Sequence, residues 1–189
     1  MKNLIKLSFT VIFAVISFTA CSTEDNPIGP GDPGNGGGDP DPIVINTPKQ
    51  MRIEQIRIAG FPEKKSNGDH WDYSPIVPIA SRPDVLVELS INSGNSQVFR
   101  SKTEQDAYYL ASYTFIEASS SNDPDLPYNA SMSTKYKLEV LDNDVAFDDM
   151  MTTYTFTPED HYKDDNATSF SISVTSDGVG IRIYGTWLY

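Results

Sequence analysis

Four aspartates stand within eight residues in the stretch Leu-Asp-Asn-Asp-Val-Ala-Phe-Asp-Asp at 141–149. Asp142 and Asp144 are two apart at what reads as a strand end, so extended backbone sends both to one side. Asp148 and Asp149 follow across a connection short enough to fold back toward them. Nothing basic lies in the stretch, and carboxylates this close repel. Two outcomes are open: solvated turn aspartates bonding their own backbone, or oxygens gathered around a cation. Calcium takes roughly six to eight oxygens at ~2.3–2.6 Å, and carboxylates with loop carbonyls supply them. An EF-hand is excluded, because the sixth position from Asp142 is Phe147 instead of glycine and the twelfth is Thr153 instead of glutamate. Zinc is disfavoured, since His70 and His161 are the only histidines and Cys21 the only cysteine.

The elements that must carry these residues read as strands. Residues 51–58, 85–91, 108–118, 136–141, 153–157, 169–175 and 179–188 are rich in β-branched and aromatic residues or alternate with a period of two. Ser176-Asp177-Gly178 is a tight-turn signal joining the last two as a hairpin. Seven or eight such strands predict an all-β, antiparallel sandwich. A helical turn is the alternative at 105–110. Two long connections, 61–83 and 142–149, interrupt the meander, and long connections on a sandwich commonly carry function.

Both ends of the chain bear on where such a domain works. Lys2 and Lys6 precede an uncharged, mostly apolar run of 13 residues at 7–19. As a helix that run spans only ~20 Å against a hydrocarbon core of ~30 Å, which suits a cleaved export signal. Phe18-Thr19-Ala20-Cys21 resembles a bacterial lipobox, in which the cysteine becomes the acylated, palmitate-type first residue; Phe18 stands where leucine is usual. A Gly/Pro/Asp-rich stretch follows, ending PIGPGDPGNGGGDPDP at Pro42. It has too little apolar surface to order itself and reads as a flexible tether. The expected organisation is therefore a signal peptide at 1–20, a tether at 21–48 and one domain at 49–189. The acidic residues after Cys21 resemble the surface-export signal of Bacteroidetes-type lipoproteins, which implies the outer membrane with the domain facing outward. Across the whole chain, 26 acidic residues face 14 basic ones, a net charge of −12. That balance argues against nucleic acid as a partner and against electrostatic docking to anionic headgroups.

The folded part resembles a C2 domain, an eight-stranded sandwich that binds calcium in loops at one end. The residues that carry the resemblance are Asp142-x-Asp144 after a strand, then Asp148-Asp149-Met150. Pro83-Asp84-Val85-Leu86 resembles the strand start that ends the family's first calcium loop. Phe61-Pro62-Glu63-Lys64-Lys65 resembles the start of that loop, and Leu126-Pro127-Tyr128-Asn129 a proline-aromatic element before a later strand. The resemblance implies calcium ligands at Asp84, Asp142, Asp144 and Asp148 or Asp149. Lys65 falls where the family has its first loop-one aspartate, and Asp69 and Asp72 are inserted beside Trp71, so Asp72 is a replacement candidate.

No Ser-His-acid set, G-x-S-x-G, phosphate loop or dinucleotide fingerprint is present. The expectation is a non-enzymatic binding or structural module, held to a membrane by lipid on Cys21, with calcium-organised loops facing an unknown protein or glycan. The alternative is a carbohydrate-binding module, with Trp71 as a ligand-binding platform stacking on sugar rings. A third possibility is a calcium-independent spacer. Trp187, in an alternating terminal strand, is expected in the core.

Overall fold

Nine strands form two antiparallel sheets in the computed structural model, which describes residues 46–71, 82–94, 96–144, 148–163 and 167–189. The strands are β1 (Gln50–Ala59), β2 (Val85–Ile91), β3 (Ser96–Arg100), β4 (Ser112–Phe115), β5 (Tyr128–Ser131), β6 (Tyr136–Asp142), β7 (Asp149–Phe156), β8 (Ser169–Ser176) and β9 (Val179–Leu188). One sheet runs β4-β1-β9-β8, with β5 also on β1; the other runs β3-β2-β6-β7. This is the expected all-β sandwich, with β3 and β5 as additional short strands.

The central strand of the first sheet shows how the sequence sets the fold. Met51 and Ile53 are fully buried, and so are Ile56 and Ile58. A strict period of two breaks between Ile53 and Ile56. A β-bulge between Ile53 and Gln55 in the pairing with β9 restores the phase, so both pairs face the core. The same point divides β1's other edge, where Gln50–Ile53 pairs with β5 and Ile56–Ala59 with β4. Opposite the bulge region, Gly185 must lack a side chain: a Cβ there would lie 1.8 Å from the Arg52 carbonyl oxygen. Asp177 and Gly178, at φ of 50° and 80°, make the two-residue turn between β8 and β9.

In the second sheet, Val85, Val87 and Leu89 of β2 and Tyr136, Leu138 and Val140 of β6 face inward and are essentially without exposure. Tyr136 stacks on Phe156, which stacks in turn on Tyr154. Trp187 joins the core beside Phe170, as expected.

Three expectations are corrected. The strand at 108–118 contracts to β4, because residues 108–111 turn, with the Ala111 N–H donating to the Tyr108 carbonyl at 2.9 Å. The helical turn at 105–110 is a pair of separate turns, at 105–106 and 109–110, with Asp106 in the left-handed region at φ 51°. Strand β7 begins at Asp149, four residues earlier than expected, so the acidic connection shortens to 143–148. Asp142 and Asp149 are therefore strand residues paired directly across the β6–β7 ladder.

Candidate cation site

Asp142 ends an inward-facing row. Tyr136, Leu138, Val140 and Asp142 alternate along β6, and Asp142 lies opposite the core residue Val85 on β2. Its carboxylate therefore points where an apolar side chain would be expected, and it is fully buried. Oδ1 accepts a hydrogen bond from the Asp84 N–H at 2.8 Å. Oδ2 is buried and has no hydrogen-bond partner. A buried acceptor left this way is costly unless something else meets it.

Asp144 and Asp149 bring two further carboxylates to this point, and one oxygen from each of the three lies within 4.8 Å of the others. Like charges directly opposite across a ladder destabilise it, and here a third is added. Burial pushes the Asp142 carboxyl up to about 6; the Asp144 and Asp149 charges add to the rise, while the Asp84 N–H and the Lys65 charge oppose it.

The cluster contains a cation supplied by the chain itself. Lys65 Nζ ion-pairs with Asp149 across 84 residues of sequence. Desolvation alone would lower the ammonium's pKa. The bond to Asp149, and the charges of Asp149, Asp142 and Asp144, outweigh it and raise the pKa above the ordinary lysine value. The turn that presents Lys65 is ordered. The Lys65 N–H donates to the Asp69 carbonyl at 2.9 Å, the Gly68 N–H donates to the Lys65 carbonyl at 2.9 Å, and Lys64 bridges His70. Gly68 supplies the positive φ of 91° that the turn needs.

Of the sequence-derived ligands, the structure joins Asp142, Asp144 and Asp149. Asp84 lies beside them through its backbone, but its Oδ1 accepts from the Asp106 N–H at 2.9 Å and so holds the neighbouring loop. Asp148 is drawn off by Arg100, whose guanidinium reaches Asp148 Oδ2 at 2.8 Å and Glu88 Oε2 at 3.0 Å. Asp69 bonds Asn67 instead of the cluster. Asp72 and Cys21 lie outside the described residues, as do the expected signal peptide and the tether up to residue 45.

Trp71 requires a correction. It is 5% exposed, sits in the core cluster, and its indole N–H donates to the Pro62 carbonyl at 2.9 Å. Its ring is packed into the core and does not present the open face that stacking on a sugar requires. Lys65 Nζ lies 5.5 Å from its centroid.

Sequence reasoning missed two cations. Lys65 stood out only as a departure from the resemblance, and Arg100 on β3 gave no signal beyond a basic residue near a strand end.

The donor set fits a single hard cation. It consists of three carboxylates, one buried with an unmet oxygen, and carboxylate oxygen suits calcium. It does not fit the fuller ligand set implied by the resemblance, because Asp84 and Asp148 are engaged elsewhere.

No protein-family model matches the chain, and no curated protein matches it in sequence. Among solved structures it is similar to an isolated C2 domain at 14% identity and TM-score 0.43, over 75% of this chain and 99% of that one. It is similar to the calcium-bound pair of C2 domains of Extended-Synaptotagmin 2 at 13% identity and TM-score 0.47, over 75% of this chain and 46% of that one. A human GIVD cytosolic phospholipase A2 is similar at 11% identity and TM-score 0.46, over 74% of this chain and 17% of that one. The chain thus spans nearly all of a single C2 domain and a minor part of the two larger chains.

Proposed function

We propose that the protein is a non-enzymatic binding module, lipid-anchored at Cys21 on the outward face of a bacterial outer membrane, whose loop end binds one calcium ion. The observation that carries this reading is the fully buried Asp142 carboxylate, whose unpartnered oxygen lies in a cluster with Asp144 and Asp149. Calcium would supply the charge that the three carboxylates lack. Asp142 ends β6, Asp149 begins β7 and Asp144 lies in the connection between them, so residues holding one ion would tie both strand ends to their loop. Because binding occurs only in the folded state, it would raise stability by linkage.

Three carboxylates also leave part of calcium's shell of roughly six to eight oxygens unfilled. The open positions, with the exposed Met150 beside Asp149, are where a partner would dock. Within the cluster Asp149 is already paired with Lys65, which favours a binding role over general acid–base work. The acidic charge balance favours a partner other than nucleic acid.

Thermal unfolding in millimolar calcium, in magnesium and in chelator tests the reading. The midpoint should rise with calcium alone, and Asp144→Asn should abolish the rise. Superimposed curves for the wild-type protein would rule calcium out.

A further inference from the structure

The Lys65 ammonium and a calcium ion would need the same oxygens. Lys65 holds Asp149, one of the three carboxylates, and its charge acts on the other two. We infer that Lys65 is a tethered competitor for the calcium position, so that the ion enters only by driving this side chain off Asp149. This inference rests on the calcium reading and adds to it a device that sets how much calcium the site requires.

The charges favour exchange over co-occupancy. Three carboxylates with one ammonium leave two negative charges unbalanced; with calcium in its place they leave one. Bound together, the two cations would repel at contact range while sharing Asp149. The resident pair is also easy to break, since the Asp149 side chain is 46% exposed and solvent weakens such pairs.

The geometry provides for the departure. The backbone of Lys65 is fixed by its turn, whereas its four-carbon stem is flexible. A groove of about 590 Å³ opens beside the pair, lined by Lys64, Lys65, Trp71, Asp149, Thr152 and Asp177 among others. The displaced ammonium can swing into that space while staying near the Trp71 ring. Asp177, a carboxylate outside the cluster, lines the same groove and accepts a hydrogen bond from the Thr152 hydroxyl at 2.9 Å. The metal-free protein thus keeps its loop end partly neutralised by its own lysine, and calcium replaces that lysine only above a threshold concentration.

Calcium titration of the full-length chain by calorimetry tests this, using the wild type, Lys65→Gln, Lys65→Arg and the neighbouring control Lys64→Gln. Removing the competing charge should tighten calcium binding by about tenfold in Lys65→Gln. Lys64→Gln should stay near the wild type, and Lys65→Arg, which keeps the charge, should bind no more tightly than the wild type. In chelator, Lys65→Gln should also melt below the wild type, because its carboxylates have lost their cation. If Lys65→Gln binds no more tightly than Lys64→Gln, the competition is refuted and calcium binding itself stands. Tight binding by Lys65→Arg refutes it as well, even if Lys65→Gln fails to fold. If no form of the protein binds calcium, the calcium reading fails and the competition with it.

Discussion

Replacing Asp142 by asparagine separates two effects of its carboxylate, which work in opposite directions. In the metal-free protein the buried group is raised from 3.8 to about 6. A group whose folded pKa lies above its unfolded value stabilises the fold fully below the unfolded value. That contribution is lost as pH rises through the folded value. The window here runs from about pH 4 to about pH 6. Roughly two units at 1.36 kcal/mol each amount to about 3 kcal/mol lost by pH 7. Asparagine carries no charge to desolvate, and its oxygen can still accept from the Asp84 N–H. Its amide nitrogen would stand where Oδ2 has no partner, with Asp144 and Asp149 as acceptors close by. The variant gives up the attraction of Lys65, which reduces the gain. In chelator at pH 7, Asp142→Asn should therefore be more stable than the wild type by about 1–3 kcal/mol, read from urea midpoints at unchanged slope. The difference should shrink toward zero near pH 4. With calcium present the order should reverse, because the variant has lost a ligand. A variant less stable than the wild type in chelator at pH 7, or a gain equally large at pH 4, would refute the assigned burial cost.

Two other substitutions probe the scaffold. Gly185→Ala places a methyl group 1.8 Å from the Arg52 carbonyl, and with two central strands held between neighbours it should cost about 3 kcal/mol or more; an unchanged urea midpoint would mean that β1 and β9 pair differently. Trp71→Ala should lower stability by about 3–5 kcal/mol as a core deletion, measured by thermal or urea unfolding, and a variant that keeps full stability would put Trp71 back on the surface.

Much of this fold is legible in the sequence, because strands buried on one face leave a period of two. Strands β2, β6, β8 and β9 fall within a residue or so of where the pattern puts them. The short strands β3 and β5 were missed because four or five residues, partly exposed, carry too little alternation to stand out. The early start of β7 was hidden by composition, since Asp149 looks like loop chemistry and is held in a strand by pairing with Asp142. Within the site, the joining of Asp142, Asp144 and Asp149 followed from spacing and strand ends. The burial of Asp142 was missed, because an acidic stretch reads as an exposed loop even where it continues the Tyr136, Leu138, Val140 parity by one step. What the sequence could not yield was the destination of long side chains. Lys65 reaches Asp149 across 84 residues, and Arg100 takes Asp148 from β3 across 48. Both contacts exist only once the two sheets have brought separate loops to one end.

The pairing of β1 with β9 bears on how the domain would carry a mechanical load. β1 runs from Gln50, beside Leu188, to Ala59, which leads into the turn holding Lys65. At ~3.3 Å per residue the strand is about 30 Å long, and it spans the distance between the point where the preceding chain enters and the loops that would hold a partner. A pull between those two points acts along β1, parallel to its neighbours. The hydrogen bonds to β9 then resist in shear, many at once, where a pull across the sheet would open them singly. A protein tethered at one end and loaded at the other would place the ladder between two central strands in the direction of the force.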